Sequence, residues 1–368
     1  MNGPDLQARL KRLRDGMDRD GITTAIISHP RHIYYFTGSM PPPISALLLV
    51  TPTRLLGIGP SQLGDIETLT FLSYDIHHGW NVSRSVADLL ERGLSVLGVS
   101  GGKGGFEWEH LPGVWLAIIR RHLDEALDLK DLLWGVRRIR DDFEIQQIRD
   151  NIAGNDQIFQ MLSEMLHPGV QEMDVWGAIQ TELNKNAGEP TLLEADLGVG
   201  VRGVIPAAKP GKETLKPGEA IFADIYSASH HYYADTTRVF TLGQPDDQQK
   251  QIHAILLEAM EAGVKKLFPG TPANQVDAAV RGRIALAGYG DNFPHHSGHA
   301  YNLFQQDRPY FIPAESTPIE TGMIVTLEPG IYIPGWGGMR VESNFLIEQG
   351  GPRRLDTYPL EITICPQG

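Results

Sequence analysis

Ala220-Ile-Phe-Ala-Asp224-Ile-Tyr-Ser-Ala-Ser-His-His-Tyr-Tyr-Ala-Asp235-Thr-Thr-Arg238 is two strand-like runs around a polar centre, and it decides how the second half of the chain is read. A hairpin turning between Ser229 and His230 sets Asp224 directly opposite Asp235, on one face, with Cβ atoms about 5 Å apart. The same reasoning applies to Glu328-Pro-Gly-Ile-Tyr-Ile-Pro-Gly-Trp-Gly-Gly-Met-Arg340-Val-Glu342, where a turn around Gly335 brings Glu328 opposite Glu342. Like charges facing each other destabilise a sheet. Neither pair is expected to have a basic residue facing its two acids, so a bound cation is the simplest remedy.

A third element is Asn292-Phe-Pro-His295-His-Ser-Gly-His299. Pro294 and Gly298 oppose a helix, and no Glu follows the first histidine, so this is not the helical zinc-protease pattern. In an extended segment the even spacing places His295 and His299 on one face, one to bind metal and the other to meet a substrate. Taken singly, an Asp on a strand is usually solvated and Glu-Pro-Gly is usually a turn. Their joint occurrence at these spacings is the signal.

Outward from these motifs, Ile145, Ile148, Ile152, Phe159, Leu162 and Leu166 mark a long amphipathic helix with Asn155 in its stripe, ended by His167-Pro168-Gly169. Further helices are expected over 172–185, 247–268 and 273–287, and strands over 220–227, 232–241, 322–333 and 339–347. Helices with antiparallel hairpins give an α+β domain. The first ~130 residues alternate instead: a helix through Leu6, Leu10, Leu13 and Met17, then strands at 22–27, 46–50 and 55–58. This is a smaller α/β domain, and the boundary is placed at 134/135. The glycines at 101, 102, 104 and 105 around Lys103 lack the Gly-Lys-Ser/Thr of a phosphate loop and read as a flexible surface turn.

Composition bounds the function. The 368 residues carry a formal net charge of −13, which argues against partners that need a basic surface, nucleic acid and anionic membrane alike. One cysteine, Cys365, excludes an intrachain disulfide and a thiolate metal site and fits a reducing compartment. No apolar run reaches membrane-spanning length and the charged N-terminal stretch lacks a signal-peptide core, so a cytoplasmic location is expected.

With these motifs in view, the chain resembles the creatinase/aminopeptidase superfamily with the pita-bread catalytic domain, and within it Xaa-Pro dipeptidases (prolidases) and aminopeptidase P. The resemblance is carried by Asp224, by Tyr233-Ala-Asp235-Thr-Thr-Arg238, by His295-His-Ser-Gly-His299, by Glu328-Pro-Gly-Ile-Tyr332 and by Gly337-Gly-Met-Arg340-Val-Glu342. Weaker echoes are Arg31-His-Ile-Tyr-Tyr-Phe-Thr-Gly38 and Arg140-Asp-Asp-Phe-Glu144. It implies a creatinase N-terminal-like domain before the catalytic one and two divalent metals per chain, manganese, or else cobalt or zinc. Asp224 would chelate one metal, Asp235 and Glu342 would bridge both, and His299 and Glu328 would complete the other. A hydroxide shared by the metals would then cleave the Xaa-Pro bond of dipeptides or short peptides.

By the same resemblance Glu328 is the proton shuttle and His295 contacts the substrate. Arg340 steadies a ligand or pairs with a neighbouring acid, and Gln306 lies at a substrate-binding position. A homodimer is implied, with Trp336 in a turn able to line its cleft. The chain departs from the family's usual pattern at Ala207, Asn302 and Gln306, where histidine, glycine and histidine are usual. Gln306 can donate a hydrogen bond but cannot carry a proton. The alternatives are a hydrolase of another small C–N substrate on this scaffold, as creatinase is, and a non-catalytic binding protein.

Overall fold

The computed structural model describes residues 3–76 and 79–366. The chain forms two compact units, residues 1–138 and 139–368. The expected boundary at 134/135 falls inside the helix Lys130–Arg137, which belongs whole to the first unit.

The first unit is built on a six-stranded sheet. Its spatial order is Thr68–Thr70, Leu55–Gly59, Leu47–Val50, Thr24–Ile27, Lys103–Phe106 and Glu125–Asp128. The last three run parallel, and Thr24–Ile27 pairs antiparallel with Leu47–Val50. Ile26, Leu47, Leu49, Leu56 and Phe106 form its core with Val86, Leu90 and Trp115. The glycine cluster is only half a turn. Gly101 and Gly102 have positive φ, but Gly104 and Gly105 lie in the buried strand Lys103–Phe106. A Cβ on Gly105 would sit 2.4 Å from Leu129, so these glycines admit neighbouring side chains onto the sheet.

The second unit is α+β. Asp142–Met165 opens with a capping box, the Asp141 carboxylate accepting from the Glu144 N–H and Glu144 from that of Asp141. Its apolar stripe, Ile158, Phe159 and Leu162, packs on Ile221, Ala223, Ile225 and Phe240. The sheet beneath has four strands, in the order Thr363–Cys365, Tyr232–Leu242, Ala220–Ser229 and Leu192–Val199. Strand periodicity sends Ile221, Ala223 and Ile225 to the helix and Phe222, Asp224 and Tyr226 to the opposite face. Asn155 is buried in the stripe and donates to the Ile225 carbonyl at 3.0 Å. Asn151 donates to the carbonyls of Ser229 and Tyr232 and so ties together the two strand ends at the hairpin tip.

A five-stranded sheet, ordered Asp307–Tyr310, His299–Ala300, Ile324–Leu327, Ser343–Glu348 and Gly351–Arg354, lies in the same unit with the helices Asp247–Val264 and Ala273–Leu286. The expected strand over 322–333 is two strands. Ile324–Leu327 belongs to the five-stranded sheet and Gly330–Ile333 to a separate two-stranded arm with Gly337–Arg340. Pro329, which has no N–H for a ladder, sits at the break. The run over 339–347 divides likewise at Val341 and Glu342. Among the described residues no helix is long and apolar enough to cross a membrane.

Candidate metal centre

The first hairpin turns one residue later than expected. His230 and His231 form a two-residue loop, both with positive φ (49° and 72°), as a type I′ turn requires. Asp224 therefore pairs with Thr237, and Asp235 with Tyr226. The pairing shifts by two positions, so both acids stay on one face, as diagonal neighbours with Thr237 between them. The second hairpin has the expected register, Gly330 opposite Arg340, and carries Glu328 and Glu342 just beyond its paired residues.

Only His299 and Ala300 of the histidine segment form a strand, and His295 and His299 line one cavity. The segment is held from below by the helix Ala273–Leu286. Arg281, ion-paired to Asp277, donates to the carbonyls of Phe293 and His295, and Ser297 Oγ donates to Asp277 at 2.6 Å. Gly298 has φ 149°, and a Cβ there would lie 2.0 Å from the Thr326 carbonyl oxygen. The Glu328 N–H donates to the Ser297 carbonyl, which joins the histidine loop to the acid-bearing segment.

Asp235, His299 and Glu342, all buried, bring one donor atom each within 4.8 Å of one another, and so do His295, His296 and Glu328. Glu328 Oε1 bridges the groups, 3.5 Å from His299 Nε2 and 3.0 Å from His296 Nδ1. Asp224 joins through Thr237, whose hydroxyl lies 2.9 Å from Asp224 Oδ1 and 2.9 Å from Glu342 Oε2. All five residues expected as ligands, Asp224, Asp235, His299, Glu328 and Glu342, thus line one cavity of about 260 Å³.

For Asp224 the expectation that the acids have no basic partner is wrong. Arg340 Nη2 is bonded to Asp224 Oδ2, while its Nη1 donates to Tyr332 Oη and to the Pro206 carbonyl. The arm carries this side chain back over the first hairpin, a reach that strand arithmetic within one hairpin cannot show. Of its two sequence readings, Arg340 realises the ion pair.

The remaining acids are under-compensated. Burial, and then the neighbouring carboxylates Glu342, Asp224 and Glu328, push Asp235 well above the ordinary carboxylate range. Glu342 is pushed up in the same way by burial and by Asp224 and Glu328. Asp224 is raised by burial against the pull of Arg340. Glu328 runs the other way: burial works to raise it, but His296, then His295 and His299, hold it low.

The chemistry of these donors fits a metal. His299 Nδ1 faces the Ala300 carbonyl at 3.0 Å and must carry the proton there. Its Nε2 is then an unprotonated lone pair aimed at Asp235 Oδ2 (3.7 Å) and Glu328 Oε1 (3.5 Å), and burial lowers the ring's pKa to about 4. A lone pair facing carboxylate oxygens is repulsive unless a cation or a proton lies among them. His295, lowered to about 4 chiefly by burial, has Nδ1 on the His296 carbonyl and Nε2 on Tyr332 Oη, 2.9 Å away.

Gln306 and Ala207 line the cavity, and so does Gln305, whose Nε2 is 3.5 Å from Asp235 Oδ2. Asn302 is buried away from it, its side-chain oxygen accepting from the Phe304 N–H. Trp336 is half-buried in the arm's turn. Sequence reasoning did not single out His296, Gln305, Asp196 or Tyr226. His296 and Gln305 adjoin residues that it did, whereas Asp196 and Tyr226 carry no local motif.

Residues 146–349 match metallopeptidase family M24, and residues 9–139 match the creatinase/prolidase N-terminal domain. An uncharacterised peptidase of Bacillus subtilis is 26% identical over 363 residues, covering 97% of this chain and 99% of the relative. A Xaa-Pro dipeptidase of Pyrococcus horikoshii is 25% identical over 365 residues, with 97% and 99% covered. Among solved structures, a Xaa-Pro dipeptidase from Bacillus anthracis superposes with a TM-score of 0.87 at 25% identity, over 98% of this chain and 100% of the other.

Proposed function

The chain belongs to metallopeptidase family M24, and on that premise we propose that it hydrolyses the Xaa-Pro bond of dipeptides or short peptides with two divalent metal ions. Asp224, Asp235, His299, Glu328 and Glu342 would hold the ions. This set of four carboxylates and one imidazole suits manganese, with cobalt or zinc as alternatives. The observation that carries the reading is the convergence of Asp235, Glu342 and the unprotonated Nε2 of His299 in one buried cluster whose carboxylates are bonded to no Lys or Arg among the described residues.

Bound ions would lower the pKa of a shared water and polarise the scissile carbonyl. Glu328, at the junction of the two donor groups, takes the proton of the attacking water and passes it to the departing proline nitrogen. Thr237 and Thr326 fix the Glu342 carboxylate, with Thr326 Oγ1 2.7 Å from Oε1. Arg340 and Tyr332 hold Asp224 and His295 in one hydrogen-bonded chain, so Arg340 orients the site. His295 edges the cavity and can meet the substrate once Tyr332 Oη releases its Nε2.

Protein reconstituted with manganese or cobalt should release proline from a panel of Xaa-Pro dipeptides. Release from none would defeat the reading. Ala207 and Gln306, both lining the cavity where the resemblance leads one to expect histidine, favour a second reading, hydrolysis of another small amide or amidine. A broad substrate screen with the same reconstituted protein separates the two. A homodimer is part of the proposal through the family resemblance and is read by light scattering.

A further inference from the structure

Asp196 is a fifth carboxylate on the face that carries the metal-ligand candidates. It lies on Leu192–Val199, paired directly opposite Asp224 across one strand spacing of about 4.8 Å. Its side chain is only 8% exposed, and it lines the same cavity with Pro206, Ala207 and Tyr226. Its one polar partner among the described residues is Lys209, whose Nζ lies 2.8 Å from Oδ1 and 2.5 Å from Tyr226 Oη. Oδ2 has no partner. Lys209 is 60% exposed and does not line the cavity, so it braces the carboxylate from outside.

Two acids placed directly opposite each other repel, and each here is neutralised separately, Asp224 by Arg340 and Asp196 by Lys209. Arg340 spends its donors on Asp224, Tyr332, Thr237 and the Pro206 carbonyl, which leaves Asp196, a lining residue of the cavity, with a buried acceptor oxygen. A buried acceptor of this kind is costly unless something donates to it.

We infer that Asp196 is the specificity residue that receives the free α-ammonium group of the substrate, with Lys209, held by Tyr226, as its counter-ion until the substrate arrives. This rests on the peptidase reading above. The distance selects the α-ammonium over a lysine side chain. An α-nitrogen lies about 2.5 Å from the carbonyl carbon under attack, a reach compatible with a carboxylate one strand away from Asp224. A lysine ε-ammonium sits at the end of a four-carbon stem, several ångströms farther out.

The test is equilibrium binding by calorimetry to the manganese-loaded full chain. The probes are a non-cleavable ketomethylene analogue of leucyl-proline with a free amino terminus and the same analogue N-acetylated. Wild type should bind the free amine about ten- to a hundredfold more tightly, as for a charge-assisted hydrogen bond. Asp196→Asn should bind both equally, with metal content and melting temperature unchanged. Lys209→Met, which frees Asp196 from its competing cation, should keep or widen the preference. A purely structural role would lower it in both variants.

Equal binding of the two analogues by wild type, binding of neither, or a preference that survives Asp196→Asn would each overturn the assignment. The peptidase reading fails separately. No proline release from any dipeptide, alongside an Asp196-dependent preference for the free amine, would refute the reaction and leave the ammonium site standing.

Discussion

Glu107 in the first unit and the Asp235–Glu342 group in the second are buried to nearly the same degree, but Glu107 is met by backbone N–H groups and a histidine while Glu342 has only two threonine hydroxyls. Glu107 Oε2 accepts the backbone N–H groups of Ser28 (2.6 Å) and His29 (2.8 Å), and Oε1 is bonded to His32 Nδ1. Burial works to raise its pKa, yet His32 and these N–H groups hold it down at about 2. Asp235 has, among the described residues, one long hydrogen bond from Gln305, and its pKa moves the opposite way. Asp356, close to the second group in the fold, is also satisfied. Arg238 Nη2 lies 2.6 Å from its Oδ2 while Nη1 serves the backbone carbonyl of Glu342. Guanidinium groups are thus at hand and committed elsewhere. A buried carboxylate with a full set of donors is structure, and a group of them left short of positive charge is built for a cation.

That contrast can be broken by substitution, and the largest effect is expected at Asp235. Asp235→Ala should abolish both metal retention and peptidase activity, read by elemental analysis beside a proline-release assay. Retention of either would place Asp235 with Glu107, as a structural acid.

Glu107→Gln comes next. It should cost about 3 kcal/mol of stability at neutral pH, from the lowered pKa of the wild-type carboxylate, with the metal content of the chain unaltered. The folded pKa of Glu107 lies below its unfolded value, so its contribution is full above about 4.5 and is lost as pH falls through about 2. Melting curves of wild type and variant should converge over that window.

The opposite sign is expected for Asp235→Asn in metal-free protein. A carboxylate whose folded pKa is raised destabilises the fold above that pKa, so the variant should be more stable than wild type at pH 7, by about 1–3 kcal/mol. The gain should shrink as pH falls below the raised pKa of the folded group and vanish below the ordinary carboxylate range, where the unfolded chain is protonated as well. The smallest effect sharpens the edge of the site. Gln306→Ala, which removes a cavity-lining group outside the donor cluster, should raise KM a few-fold, about 1 kcal/mol, and leave metal content unchanged.

Much of this contrast was legible in the sequence, and the misses have specific causes. The four acids and His299 could be placed because each sits in a short motif whose turn or break is visible locally. The first register was off by two because His230-His231 lacks the Asn-Gly or Asp-Gly that announces a type I′ turn. The error was harmless to the site, since an even shift keeps side chains on their face. Strand continuity failed at Pro329 for a different reason. The chain leaves one sheet for the two-stranded arm there, and an apolar run does not say which sheet it joins. Arg340 over Asp224, and Asp196 opposite it, were out of reach. Both contacts join segments separated by a long stretch of chain, and only the folded sheet brings them together.

The account stands most directly on a count of metal ions. Full-length protein reconstituted with manganese, freed of loosely bound metal and analysed for its elements, should hold two divalent ions per chain, and the Asp235→Ala variant should hold none. Wild-type protein that retains no metal after exposure to manganese, cobalt and zinc in turn would contradict it, because the carboxylates around His299 would then be tolerating burial without the cation their arrangement calls for.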